Sequence, residues 1–136
     1  MRLVLVLLLA GCDTGLGDAG EPAPRACAEV TSDFASLRDG LFTGCAQTSA
    51  CHGARAAGGL DLRPEVAYDT LVGVAAQGDP SRLRVAPFDP DASYLVHLLG
   101  EGAPAAERMP PAAPLCAAEI EAVRQWITSG APPASD

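Results

Sequence analysis

The stretch TGCAQTSACHG, Thr43 to Gly53, sets Cys51 directly before His52 and places Cys45 upstream with five residues between the two cysteines. Little else constrains a small chain as much, because paired thiols beside an imidazole commit it to a covalent cross-link or to a metal. Three chemistries are open on these residues alone: a haem attached across a stretched spacer, a small disulfide loop, or a metal knuckle.

The N-terminus decides the redox setting. Arg2 supplies a positive charge, Leu3 to Leu9 form a short apolar run, and Leu9-Ala10-Gly11-Cys12 follow at once, which reads as a signal segment. The run is too short to span a bilayer as a helix. Leu-Ala-Gly-Cys resembles the bacterial lipobox, which implies removal of residues 1–11, lipidation of Cys12, and a chain anchored to a membrane without crossing it. An ordinary secretory signal with a chance cysteine would export the chain equally. Export places Cys27, Cys45, Cys51 and Cys116 in an oxidising compartment, and four cysteines are consistent with two pairs.

All nine basic residues are arginine, and Arg2 leaves with the signal. The mature chain then sets eight arginines against seventeen carboxylates, a formal charge of −9. That balance argues against nucleic acid and anionic membrane surfaces as partners. A partner with a basic docking face suits it better.

Length allows one domain. Residues 12–26 are rich in Gly, Ala, Pro and acid and read as the lipidated cysteine with a flexible tether. The domain is expected over 27–131, with 132–136 as a disordered tail. Phe34, Leu37, Leu41 and Phe42 fall at helical spacing, with Thr31, Ser32 or Asp33 available as N-cap and Gly44 as a stop. A second helix opens at Pro64 with Val66, Leu71 and Val72 inward. A third covers Asp91 to Leu99, with Tyr94, Leu95, Leu98 and Leu99 on one face and Gly100 as its end. The clearest covers Ala117 to Ser129: Ile120, Val123, Trp126 and Ile127 make its stripe, Glu119 and Glu121 favour its N-terminal dipole, and Gly130 closes it. No alternating strand pattern and no repeat occur, so the fold class is all-α, about four short helices joined by long Gly-, Pro- and Ala-rich loops. Six aromatics make a thin core for about 105 residues, which suggests that another group fills it. Two glycines before Leu60 suggest a backbone passing close to something bulky.

Covalent haem attachment needs two thiols for the two porphyrin vinyl groups and a histidine beside the second, most often as Cys-x-x-Cys-His. The fixed requirement is the Cys51-His52 adjacency. Cys45 need only reach the other vinyl, and Ala46, Gln47, Thr48, Ser49 and Ala50 are small or polar enough to bulge as a loop.

A helix running into C…CHG, then GGLDL, DPDASYLVHLL, RMP and EIEAVRQWITSGA, together resemble the small bacterial c-type cytochrome domains of exported proteins, over nearly all of Cys27 to Ala131. The resemblance implies a cytochrome c-like fold around one covalent haem c. It implies Cys45 and Cys51 as thioether sites, His52 as proximal and Met109 as distal iron ligand, and Trp126 on the packing face of a last helix that meets the first. The five-residue spacer departs from the family's usual two. Since the terminal helices cross in that fold, the resemblance also implies a Cys27–Cys116 disulfide. Cys116 by itself stands in the N-cap region of the last helix, where a thiol is a poor acceptor.

Met109 is the only methionine left after the signal, and it sits in a loop stiffened by Pro110-Pro111. His97 is the rival sixth ligand, although it lies about 130 degrees from the centre of its helix's apolar stripe. Two further readings of the site remain: a Cys45–Cys51 disulfide in a haemless interaction or structural module of the envelope, and a zinc site from Cys45, Cys51, His52 and His97. No nucleophile elbow, Cys-x-x-Cys redox pair, phosphate loop or paired carboxylate points to an enzyme. The expectation is an electron carrier of the cell envelope, facing periplasm or exterior.

Overall fold

The computed structural model describes residues 25–47, 51–100, 102–111 and 113–135. The signal segment, Cys12 and most of the expected tether lie outside the described residues, as do Thr48, Ser49 and Ala50 of the spacer. Five α-helical segments follow one another: α1 Phe34–Leu37, α2 Thr43–Ala46, α3 Ala67–Leu71, α4 Tyr94–Leu99 and α5 Ala117–Thr128. A π-helical turn, Arg38–Phe42, joins α1 to α2 as one rod. Among the described residues there is no strand; isolated bridges pair Val72 with Val85, Ala75 with Leu83 and Ala86 with Asp89. The class is all-α. No helix among the described residues is long and apolar enough to cross a membrane.

The first rod starts where its N-cap dictates: the Asp33 carboxylate accepts from the Ser36 N–H at 2.9 Å. Phe34, Leu37, Leu41 and Phe42 are buried, the set given by the helical spacing. Gly44 does not stop the rod, which runs through it to Ala46. A single glycine weakens a helix without breaking it, and here both the N–H and the hydroxyl of Thr43 hold the Arg38 carbonyl, the hydroxyl at 2.8 Å. Gly40 lies inside the π turn because Val30 passes over it; a Cβ there would stand 2.7 Å from the Val30 side chain.

The next two helices are shorter than their spacing suggests. Pro64 opens only a turn, in which the Arg63 carbonyl accepts from Val66 and Ala67, so α3 begins at Ala67 and turns Ala67 and Leu71 inward, not Val66. The Asp-Pro-Asp segment likewise forms a turn before α4, with Asp89 accepting from the Ala92 N–H. The Ser93 hydroxyl is buried, accepts from Ala86 N–H at 2.9 Å and donates to Asp89 O at 2.8 Å. Anchoring Ser93 inward brings Val96 and Leu99 into the core at three-residue steps. Tyr94, expected inward, is half-buried, its ring 5.6 Å from the Arg82 guanidinium and its hydroxyl close against Gly78.

α5 spans the core. Ala122, Val123, Trp126 and Ile127 are buried, with Ile120 at the margin. Trp126 meets Phe34 of the first rod at 5.3 Å, and Tyr68 meets Phe34 edge-on at 5.1 Å. The indole N–H donates to the Pro132 carbonyl at 2.8 Å, and Ala134 packs on the core, so the chain stays docked into the segment expected as a free tail.

The chain before the first helix is docked too. Glu119 is fully buried, yet it does more than favour a dipole: its carboxylate accepts from the Ala28 N–H at 2.8 Å and the Cys116 N–H at 2.7 Å, and pairs with the Arg25 guanidinium. Cys27 and Cys116 are joined by a disulfide at the same place. Bond and carboxylate together tie residues 25–28 to the start of α5.

Candidate functional site around His52

The helical rod delivers Cys45 half-buried, its thiol directed at the Leu41 carbonyl one turn back (3.7 Å). The His52 N–H donates to the Cys45 carbonyl at 3.2 Å, which brings His52 back to the end of the rod. Cys51 is exposed, and both thiols are free. Burial pushes the Cys45 thiol above its ordinary value, and the neighbouring Cys51 adds to the shift, against a smaller opposing pull from Arg25.

After His52 the chain coils tightly. Ala56, Gly58 and Gly59 all have positive φ, at 47°, 63° and 70°. Ala57 N–H returns to Cys51 O at 3.1 Å, and Leu62 N–H to His52 O at 2.7 Å. This coil puts the Leu60 carbonyl 3.2 Å from Nδ1 of His52. A carbonyl only accepts, so this contact holds the proton on Nδ1. Nε2 is then the nitrogen with a free lone pair, and it has no hydrogen-bond partner among the described residues. A histidine oriented this way is prepared to bind a metal through Nε2. The bulk expected beside the glycines is an arginine: a Cβ on Gly59 would stand 2.9 Å from Nη2 of Arg84 and 3.2 Å from Oε1 of Gln77.

Met109 is half-buried against the core, and its N–H donates to the Leu98 carbonyl at 2.9 Å, which fixes the Met loop to the end of α4. His97 stacks on Tyr94 at 5.9 Å between centroids and lies within electrostatic reach of Asp79. Its side chain is thus engaged by the Tyr94 ring. Among the described residues no three His, Cys, Asp or Glu side chains converge to hold a metal. Cys45, Cys51, His52 and His97 therefore do not assemble into a four-ligand zinc set.

The donor set has the chemistry a covalent haem would need: two free thiols, an imidazole with its proton held on Nδ1, and the Met109 thioether in a separate loop. Leu60, Tyr68, Val72, Leu95, Leu115 and Ile120 are half-buried and pack against the core. The spacing of the sequence identifies the thiols and the imidazole. It does not identify the Leu60 carbonyl as the partner of His52, nor Arg84 as the neighbour of Gly59, because these depend on the backbone and on contacts distant in the chain.

Compared with protein-family models, curated proteins and solved structures, the chain matches none.

Proposed function

We propose that the chain is a membrane-tethered, monohaem c-type cytochrome that carries single electrons in the bacterial cell envelope. The observation that supports this most is the His52 imidazole, whose Nδ1 contact with the Leu60 carbonyl turns Nε2 into a metal-binding lone pair beside two free thiols. When bound, a haem c would supply a one-electron iron couple. Cys45 and Cys51 would hold it as thioethers and His52 as proximal ligand. Met109 would be the distal ligand, a pairing that raises the potential. Tethering through Cys12 and docking to a basic face of a redox partner follow from the signal segment and the formal charge of −9.

A second reading is favoured by two observations. Cys45 and Cys51 are both free thiols, drawn toward each other by the His52 N–H to Cys45 carbonyl bond, and Phe34 meets both Trp126 and Tyr68 within the core. In it the chain is a haemless envelope module with a second disulfide, Cys45–Cys51, and an interaction or structural role. Expression of the full chain in a host with cytochrome maturation machinery separates the two. A Soret band that survives denaturation, with a mass gain of one haem, supports the cytochrome. A colourless product lighter by four hydrogens supports the module.

A further inference from the structure

The orientation of His52 depends on one carbonyl in a segment with little regular structure of its own. Leu60 carries it, directly after the short 3₁₀ turn Ala57–Gly59. The coil's own bonds, from Ala57 N–H to Cys51 O and from Leu62 N–H to His52 O, close it on His52, and side chains from outside brace it on both sides of Leu60.

We propose that Arg84 and Thr70 are positioning residues for His52, acting through the Leu60 carbonyl; this rests on the reading of His52 as an iron ligand. Nη2 of Arg84 donates to Gly58 O at 3.2 Å, two residues before Leu60. The Thr70 hydroxyl donates to Asp61 O at 2.5 Å, one residue after it. Nη1 of Arg84 donates to Thr70 O at 2.7 Å, so the two arms of the clamp are themselves joined. The platform beneath is firm: Arg84 N–H bonds Val74 O at 2.7 Å and Leu95 N–H bonds Arg84 O at 2.9 Å.

The side-chain chemistry suits the task. The half-buried guanidinium gives both of its bonds to carbonyls and forms no ion pair among the described residues. Its planar fork spans two acceptors at once, which a lysine ammonium on a flexible stem does poorly. Gly59 belongs to the same device, because a side chain there would occupy the space of Nη2. The clamp holds the Leu60 carbonyl as acceptor for the Nδ1 proton. That fixes the tautomer and raises the donor strength of Nε2.

The test reads His52 itself. In the haem-free full chain, ¹⁵N imidazole NMR should show a single Nδ1–H tautomer for His52. Arg84→Gln and Thr70→Val should each convert it to a tautomer mixture while α5 and the Cys27–Cys116 bond stay intact, and Arg84→Lys should recover the single tautomer only in part. Should Arg84→Gln fail to fold, Thr70→Val, which removes one hydroxyl, is read in the same way. An unchanged single tautomer in a folded variant overturns the proposal, because a merely structural role would lower stability and leave the imidazole proton where it is. In haem-loaded protein the same variants should shift the reduction potential upward, since a weaker Nδ1 acceptor makes His52 a weaker donor; no shift again overturns the clamp. Failure of the wild-type chain to take up haem would refute the cytochrome reading by itself and leave the NMR result to decide the clamp.

Discussion

Replacing Glu119 with alanine should cost the folded, disulfide-intact chain about 3–5 kcal/mol at neutral pH, the range for breaking a buried charged cluster by removing one member. Its carboxylate is fully buried and accepts two backbone N–H groups, from Ala28 and Cys116, at 2.8 and 2.7 Å. Each hydrogen bond to a charged acceptor is worth about 1.5–3 kcal/mol, and the alanine variant leaves both donors without it. The Arg25 side chain is 31% exposed and screened by water, so its pairing adds about 1 kcal/mol at most. Glu119→Gln keeps one acceptor oxygen but turns a donor toward a donor, and should cost less, about 2 kcal/mol.

The acid limb tests the same cluster. Burial pushes the Glu119 carboxyl upward, but the Arg25 contact and the two backbone N–H groups outweigh it and hold the group below its ordinary 4.5. A depressed folded value means stability that is fully present above the unfolded value and lost as pH falls through the folded one. Urea unfolding followed by circular dichroism at neutral pH and through the acid range gives both quantities. Wild type and Glu119→Gln should converge as the pH drops below 4.5. A Glu119→Ala cost under about 0.5 kcal/mol, within the range of ordinary surface substitutions, would refute the reasoning. So would a gap between wild type and Glu119→Gln that persists unchanged into acid.

The Cys27–Cys116 bond closes 89 residues of chain, and replacing both with serine should lower stability by about 4–5 kcal/mol in denaturant titrations. Because that bond and Glu119 brace the same segment, the two losses should not add in a double-variant cycle. Trp126→Ala empties the centre of the core and should cost about 3–5 kcal/mol, seen as a lower urea midpoint. Phe88 is 73% exposed with φ of 70°, a conformation asparagine tolerates better, so Phe88→Asn should raise stability by about 1 kcal/mol; a lower thermal midpoint would contradict this. In haem-loaded protein, Met109→Ala should lower the reduction potential measured by spectroelectrochemical titration.

Several elements are legible in the residue pattern alone. Phe34, Leu37, Leu41 and Phe42 bury the face their spacing gives, and Val123, Trp126 and Ile127 do the same on α5, because a helix repeat places residues three and four apart on one side. The shorter helices are less legible. In α4 the leucines and Tyr94 give an apolar stripe at helical spacing, yet hydrogen bonds between Ser93 and both Ala86 and Asp89 set the rotation and bring Val96 inward. Pro64 marks the start of a turn where the spacing suggests a helix, since the Arg63 carbonyl takes up the first free N–H groups before α3 begins.

Residue order specifies the local chemistry of this chain: which thiols flank which imidazole, where helices can form, and the acidic balance. What holds those parts in place comes from contacts between segments far apart in the chain. Glu119 looks like a residue for a helix terminus until Arg25 and Ala28, 94 and 91 positions away, arrive at its carboxylate. Arg84 and Thr70 carry no motif, and they reach the His52 loop through backbone carbonyls, which every residue type possesses. Periodicity reports how neighbours along a helix share a face. It says nothing about which distant carbonyl a buried donor will find, and in this chain the order around His52 rests on such bonds.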